Sequence, residues 1–137
     1  MPYGNGASGW PACSLEIWRA RVPWRRPWNG NHAIELFRAA GDRHREAMAR
    51  NSLGVALRGG GRVEEAIEAH GTALEIYREF EDWYRVGTAL QNLALVQEEA
   101  HRPVEARAHL LQAADAYTRG NALTEAAQAR AWAEMLG

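Results

Sequence analysis

A chain of 137 residues has room for one domain, and its 16 arginines, 17 acidic residues and formal charge of -1 give no basic footprint for nucleic acid and no acidic tail. An apolar share of 47% with 24% charged residues suits a soluble globular protein, and no apolar run approaches the roughly 18 residues that a membrane span needs. Cys13 stands alone, so it closes no intramolecular disulfide and has no second thiol to share a metal; a cytoplasmic location is expected.

In chain order, residues 1–30 come first and have their own grammar. They hold Pro2, Pro11, Pro23 and Pro27 of the five prolines, and Trp10, Trp18, Trp24 and Trp28 of the six tryptophans. Val22-Pro23 and Arg26-Pro27 each lose a backbone donor and push the preceding residue out of helical geometry, which leaves at most a short helix over 14–22. An irregular arm over 1–30 is the reading, followed by a helical domain over 31–137. The cluster Trp24-Arg25-Arg26-Pro27-Trp28 has the residue types of a membrane-surface or nucleic-acid contact. No helical moment gathers them on one face, and docking of the arm onto the helical domain is the other reading.

From residue 32 the apolar spacing is helical throughout. It predicts helices over 32–40, 43–58, 63–80, 83–100, 104–119 and 123–136. Ala49, Leu53, Ala56 and Leu57 form one stripe, and Ala66, Ile67, Ala69, Ala73, Leu74 and Tyr77 form the next. Gly59-Gly60-Gly61-Arg62 breaks the helix and reverses the chain between them; His101-Arg102-Pro103 occupies the matching slot, with proline suited to the first turn of a new helix. At Gly41-Asp42 and Gly120-Asn121, glycine is expected to supply the left-handed stop and Asp or Asn the following cap; Phe80-Glu81-Asp82 is a degenerate version.

The chain matches itself at a shift of forty residues without a gap. Ala33, Glu35, Arg38, Asp42, Arg45, Ala49, Leu53, Arg62, Glu65 and Ala66 recur as Ala73, Glu75, Arg78, Asp82, Arg85, Ala89, Leu93, Arg102, Glu105 and Ala106. A partial third copy continues through Ala113, Tyr117 and Ala129. Short connections make consecutive helices antiparallel neighbours stacked in a row. The stretches Asn51-Ser52-Leu53-Gly54-Val55-Ala56-Leu57, Arg62-Val63-Glu64-Glu65-Ala66-Ile67 and Ala73-Leu74-Glu75-Ile76-Tyr77 closely resemble the tetratricopeptide repeat. The second copy follows more loosely, with Leu93-Ala94-Leu95 and Val104-Glu105-Ala106. Gly54 or Ala94, facing Ala66 or Ala106, leave room for close helix crossing, and Leu53, Leu57, Leu93, Tyr77 and Tyr117 fill the remaining space. The resemblance implies an all-α, right-handed α-solenoid of antiparallel helix pairs, about two full repeats with flanking helices. The forty-residue phase resembles the longer variant of kinesin light chains and of repeat regions in large actinobacterial regulators.

Residue patterns that carry chemistry are missing. Gly59-Gly60-Gly61 lacks the Lys-Ser/Thr of a phosphate loop and follows no strand; His32, His44, His70, His101 and His109 make no pair at ligand spacing. His70 and His109 read as half-buried packing or surface residues. Glu64-Glu65 and Glu98-Glu99 are neighbours that point roughly 100° apart on a helix and form no acid–base pair. No enzyme, no cofactor and no metal are expected.

In the family resembled, the first helices of successive repeats line a concave groove for an extended or helical peptide. Carried over by position, the peptide-binding set is Asn51, Val55, Arg58, Gln91, Asn92, Leu95 and Gln128, with Met48, Thr88, Glu98, Ala131 and Met135 beside them. Asn51, Gln91 and Asn92 offer hydrogen bonds to a peptide backbone, Val55, Leu95 and Met135 offer apolar seats, and Arg58 offers a cation for a carboxylate. Ordinary core is the competing reading for Val55, Leu95 and Met135, and plain exposure for Asn51 and Asn92. Gln91 and Glu98 stand where a chaperone-tail receptor needs cations, which disfavours that ligand. The expected function is a protein–protein interaction module in a regulatory or signalling protein. The alternative is a self-assembling repeat fragment that forms a homo-oligomer.

Overall fold

The computed structural model describes residues 30–137. Six helices follow one another: α1 (Gly30–Ala39), α2 (Arg43–Gly59), α3 (Val63–Glu79), α4 (Trp83–Glu99), α5 (Pro103–Arg119) and α6 (Leu123–Leu136). Each packs on its neighbours in sequence, and α2 also touches α4 directly, so the described part is an all-α stack of antiparallel helix pairs, a helical-repeat solenoid. The expected helix ends hold to within a residue or two. The irregular arm, the short helix over 14–22 and Cys13 lie outside the described residues; Gly30 opens α1.

A twenty-residue beat underlies the forty-residue repeat. Helices α2 to α6 start at residues 43, 63, 83, 103 and 123, and the middle residue of each connection is left-handed: Gly41 (φ 74°), Gly61 (77°), Glu81 (52°), His101 (61°) and Asn121 (60°). At each one the chain closes the same pair of hydrogen bonds, for example Gly61 N–H to Arg58 C=O and Arg62 N–H to Leu57 C=O, which satisfies carbonyls that the helix end would otherwise orphan. The left-handed residue in the last connection is Asn121, not Gly120, and the cap position that follows is Ala122, which makes no side-chain cap bond. Gly120 serves close approach instead, since a Cβ there would lie 3.2 Å from the Tyr84 backbone nitrogen. Asp42 and Asp82 do cap, accepting from the Arg45 and Arg85 amides at 3.0 and 3.3 Å, and Pro103 sits in the first turn of α5.

Most of the buried apolar residues are alanines, notably Ala47, Ala66, Ala73, Ala89, Ala106, Ala113 and Ala129, all fully enclosed, so helices approach closely and larger side chains fill the gaps. Ile76, Val86, Leu90, Val96 and Leu110 are the large apolar ones fully enclosed, each stabilising by about 1.5–3 kcal/mol. The expected stripe on α3 is buried apart from Ile67, which is half-buried, and Ala56 on α2 is exposed, because α2 has a partner on only part of its circumference at that end. Leu93 is buried while Leu53, its counterpart, is half-exposed: α4 lies between two helices of seventeen residues, whereas α1, which flanks α2, has ten. Among the described residues no helix is long and apolar enough to cross a membrane.

Candidate functional site

The expected groove residues lie on the first helices of the pairs, α2, α4 and α6. Val55 is 45% exposed and Met135 84%, so neither is core; Leu95 is half-buried and Gln128 exposed. The Arg58 guanidinium contacts the Glu99 carboxylate at 3.4 Å and bridges the ends of α2 and α4. Glu98 accepts a hydrogen bond from the Trp132 indole at 2.9 Å, which ties α6 to α4. Arg58 and Glu98 are therefore engaged within the chain in part, as are Gln91 and Thr88 through the Tyr117 hydroxyl.

Asn51 and Asn92 are not merely exposed, because they bond each other. The Asn51 Oδ1 lies 3.3 Å from the Asn92 Nδ2 and 2.6 Å from the His70 Nδ1, so it accepts from both and leaves the Asn51 amide NH2 for the groove. His70 is 1% exposed, fully buried and not half-buried as its sequence context suggests. Its ring fills the space above Gly54, where a Cβ would stand 2.5 Å from Nε2. Gly54 thus makes room for a ring and not for a crossing backbone. Burial first, and the Arg58 charge second, push the His70 pKa down to about 4, so the ring is neutral near pH 7. In the second pair Ala94 and Leu110 take these two places, an apolar exchange. His109, half-buried, contacts the Gln97 Oε1 at 2.7 Å, and burial lowers its pKa.

The two pairs differ most at their equivalent tyrosines. The Tyr117 hydroxyl on α5 donates to the Gln91 Oε1 at 2.7 Å and lies 3.3 Å from the Thr88 Oγ1; its ring sits against Gly87, where a Cβ would come within 2.8 Å. Tyr77 on α3 is 3% exposed, yet its hydroxyl has no hydrogen-bond partner among the described residues, and it is not sealed from solvent. The reason is local. Met48 replaces Thr88 and offers no hydroxyl; Asn51 replaces Gln91, is one methylene shorter, and is turned toward His70. Tyr77 consequently lines the floor of a cleft of about 220 Å³ between α2 and α4, whose other walls are Met48, Asn51, Ser52, Tyr84, Arg85 and Thr88. His44 meets the Tyr77 ring edge-on at 5.7 Å, as its counterpart Tyr84 meets Tyr117 at 5.5 Å.

Position-by-position reasoning brought Met48, Asn51 and Thr88 to this cleft and missed Ser52, Tyr77, Tyr84 and Arg85. The signal was present: residues 84, 88, 91 and 95 share one helical face, and extending that face one turn back from Thr88 reaches Tyr84. Tyr77 looked like plain core filling because its partner chemistry depends on residues of another helix. Among the described residues, no group of three or more His, Cys, Asp or Glu side chains stands close enough to hold a metal ion.

A protein-family model described as tetratricopeptide repeat matches residues 45–119, more than half of the chain, from the first turn of α2 to the end of α5. No curated protein and no solved structure matches the chain.

Proposed function

The chain belongs to the tetratricopeptide repeat family, whose members are non-catalytic scaffolds and generally modules for protein–protein interaction, and from that premise we propose that its first-helix face binds an extended or helical segment of a protein partner. The observation that carries the reading is the composition of that face: exposed apolar side chains at Met48, Val55 and Met135 alternate with amides at Asn51, Gln91, Asn92 and Gln128 along three successive first helices. The Asn51 amide NH2 has no hydrogen bond among the described residues, Leu95 and Val55 seat apolar groups, and Arg58 keeps donors beyond its contact with Glu99. The forty-residue phase supports the kinesin-light-chain-like variant, and a place in a cytoplasmic regulatory protein accords with it. Pull-down with the full chain, identified by mass spectrometry, tests this against Met48→Glu/Val55→Glu, which alters two exposed residues only. Loss of the partner with unchanged helicity supports the reading; retention of it overturns the face.

A second reading, self-assembly, draws on another surface. Val104 is 81% exposed, and with Pro103, Ala108, Leu111 and Leu136 it lines a largely apolar cleft of about 670 Å³ between α5 and α6, bordered by Arg107 and Glu134. Sedimentation at several concentrations separates the two readings, since a chain monomeric throughout eliminates the homo-oligomer.

A further inference from the structure

A polar group left unpaired in a protein interior costs about 1–3 kcal/mol, so an unpartnered hydroxyl on a buried side chain keeps contact with water or a ligand. The Tyr77 side chain is buried, its hydroxyl has no hydrogen bond among the described residues and is not sealed from solvent, and it lines the cleft between α2 and α4. At the rim stands Arg85, whose Nε lies 3.7 Å from the Asp82 Oδ2 and whose terminal nitrogens have no hydrogen bond among the described residues. Asp82 is itself occupied: it caps α4 through the Arg85 amide, lies 3.1 Å from the His44 Nε2 and faces Arg85. The donors left over are the Tyr77 hydroxyl, the Arg85 fork, the Ser52 hydroxyl and the free amide of Asn51, set between the apolar walls of Met48 and Tyr84. Burial raises the Tyr77 pKa, so its hydroxyl keeps its proton at neutral pH and donates.

We infer that this cleft takes an acidic side chain, aspartate or glutamate, of the peptide bound on the first-helix face, with Tyr77 and Arg85 donating to the carboxylate. The inference rests on the peptide-binding reading above and adds to it a residue class and a position. The corresponding place one repeat later is unsuited to an anion. There the tyrosine hydroxyl is satisfied by Gln91 and Thr88, and Glu125 stands where Arg85 stands, so a carboxylate meets repulsion and no free donor. The two sites of the array therefore differ in what they accept, which fixes the register along the groove of a peptide with one acidic residue.

The test is a selection of displayed random peptides on the full chain, followed by titration of a fluorescent selected peptide and its Glu→Gln or Asp→Asn analogue against wild type, Tyr77→Phe and Arg85→Gln. The expected result is a pool sharing one acidic position, with each protein variant weakening the acidic peptide by roughly tenfold. The amide analogue binds wild type roughly tenfold more weakly and is indifferent to Tyr77→Phe, which a purely structural role of Tyr77 does not produce. Tyr117→Phe binds like wild type. Peptides that compete with one another on the first-helix face, are lost in Met48→Glu/Val55→Glu, yet share no acidic residue and ignore Tyr77→Phe overturn this inference and leave the groove reading standing. A library yielding no binder overturns both.

Discussion

The α2–α3 and α4–α5 pairs share a backbone and much of their apolar pattern, and they are wired differently inside. The later pair is closed: Tyr117 is bonded, Leu110 packs on Ala94, and Leu93 is buried. The earlier pair spends polar groups on its interior, with His70 over Gly54, Asn51 turned inward, and Glu46 at 1% exposure among Arg38, Arg43 and Arg50 where the later pair has Val86. A repeat is thus held by its alanines and turns, while a few positions of each copy remain available for specialisation. In this chain the earlier copy is the specialised one.

The largest predicted difference between the pairs is in acid. His70 has a folded pKa of about 4 against 6.5 unfolded, so the unfolded chain binds more protons between those values. Its contribution is complete above pH 6.5 and is lost as pH falls toward 4, on the order of 3 kcal/mol. Denaturation at pH 7 and pH 4.5 should show this loss in wild type, and a smaller one in Gly54→Ala/His70→Leu, which copies the later pair. An equal loss in both proteins removes His70 from the account.

Gly54→Ala alone should destabilise by about 1 kcal/mol, because overpacking of 1–3 kcal/mol against the His70 ring exceeds the roughly 1 kcal/mol gained in helix propensity. Adding His70→Leu should restore most of it, and additive effects would deny the complementarity. The connections offer a smaller contrast. Glu81→Gly and His101→Gly should each raise stability by about 0.5–1 kcal/mol, since left-handed geometry costs an L residue roughly 1–2 kcal/mol and glycine's extra entropy offsets part of the relief. Asn121→Gly should gain less, as asparagine tolerates that region; thermal melts of the three rank them. The smallest effect belongs to Glu46→Val/Arg50→Leu, which copies Val86 and Leu90. Replacing the buried pair as a unit, with Arg38 and Arg43 free to reach solvent, should shift stability by less than about 1 kcal/mol, and a loss beyond about 2 would make the ion cluster essential.

Much of the fold was legible in the amino-acid order because it rests on local signals. Apolar spacing placed all six helices from residue 30 onward, and Asp42, Asp82 and Pro103 marked starts. Errors arose where one residue of reach decides. Gly120 drew attention as the left-handed stop although Asn121 adopts it, because glycine there answers a neighbouring helix that spacing along one segment does not reveal. Nothing along the sequence singled out Glu46 as buried, since its arginines come from two helices. Spacing along the helices picked out Met48, Asn51, Val55, Gln91 and Leu95 as candidates. Which amide is occupied and which hydroxyl is open was not legible, for Asn51 and Gln91 differ by one methylene and their partners lie nineteen and twenty-six residues away.

The distinction between an open and a closed repeat is tested most directly by urea denaturation of Tyr77→Phe and Tyr117→Phe side by side. Removing the Tyr117 hydroxyl breaks its bond to Gln91 and should cost about 1 kcal/mol, whereas removing the Tyr77 hydroxyl should cost nothing or raise stability slightly. Equal losses at the two positions would mean that Tyr77 is bonded as Tyr117 is, and would contradict the open cleft.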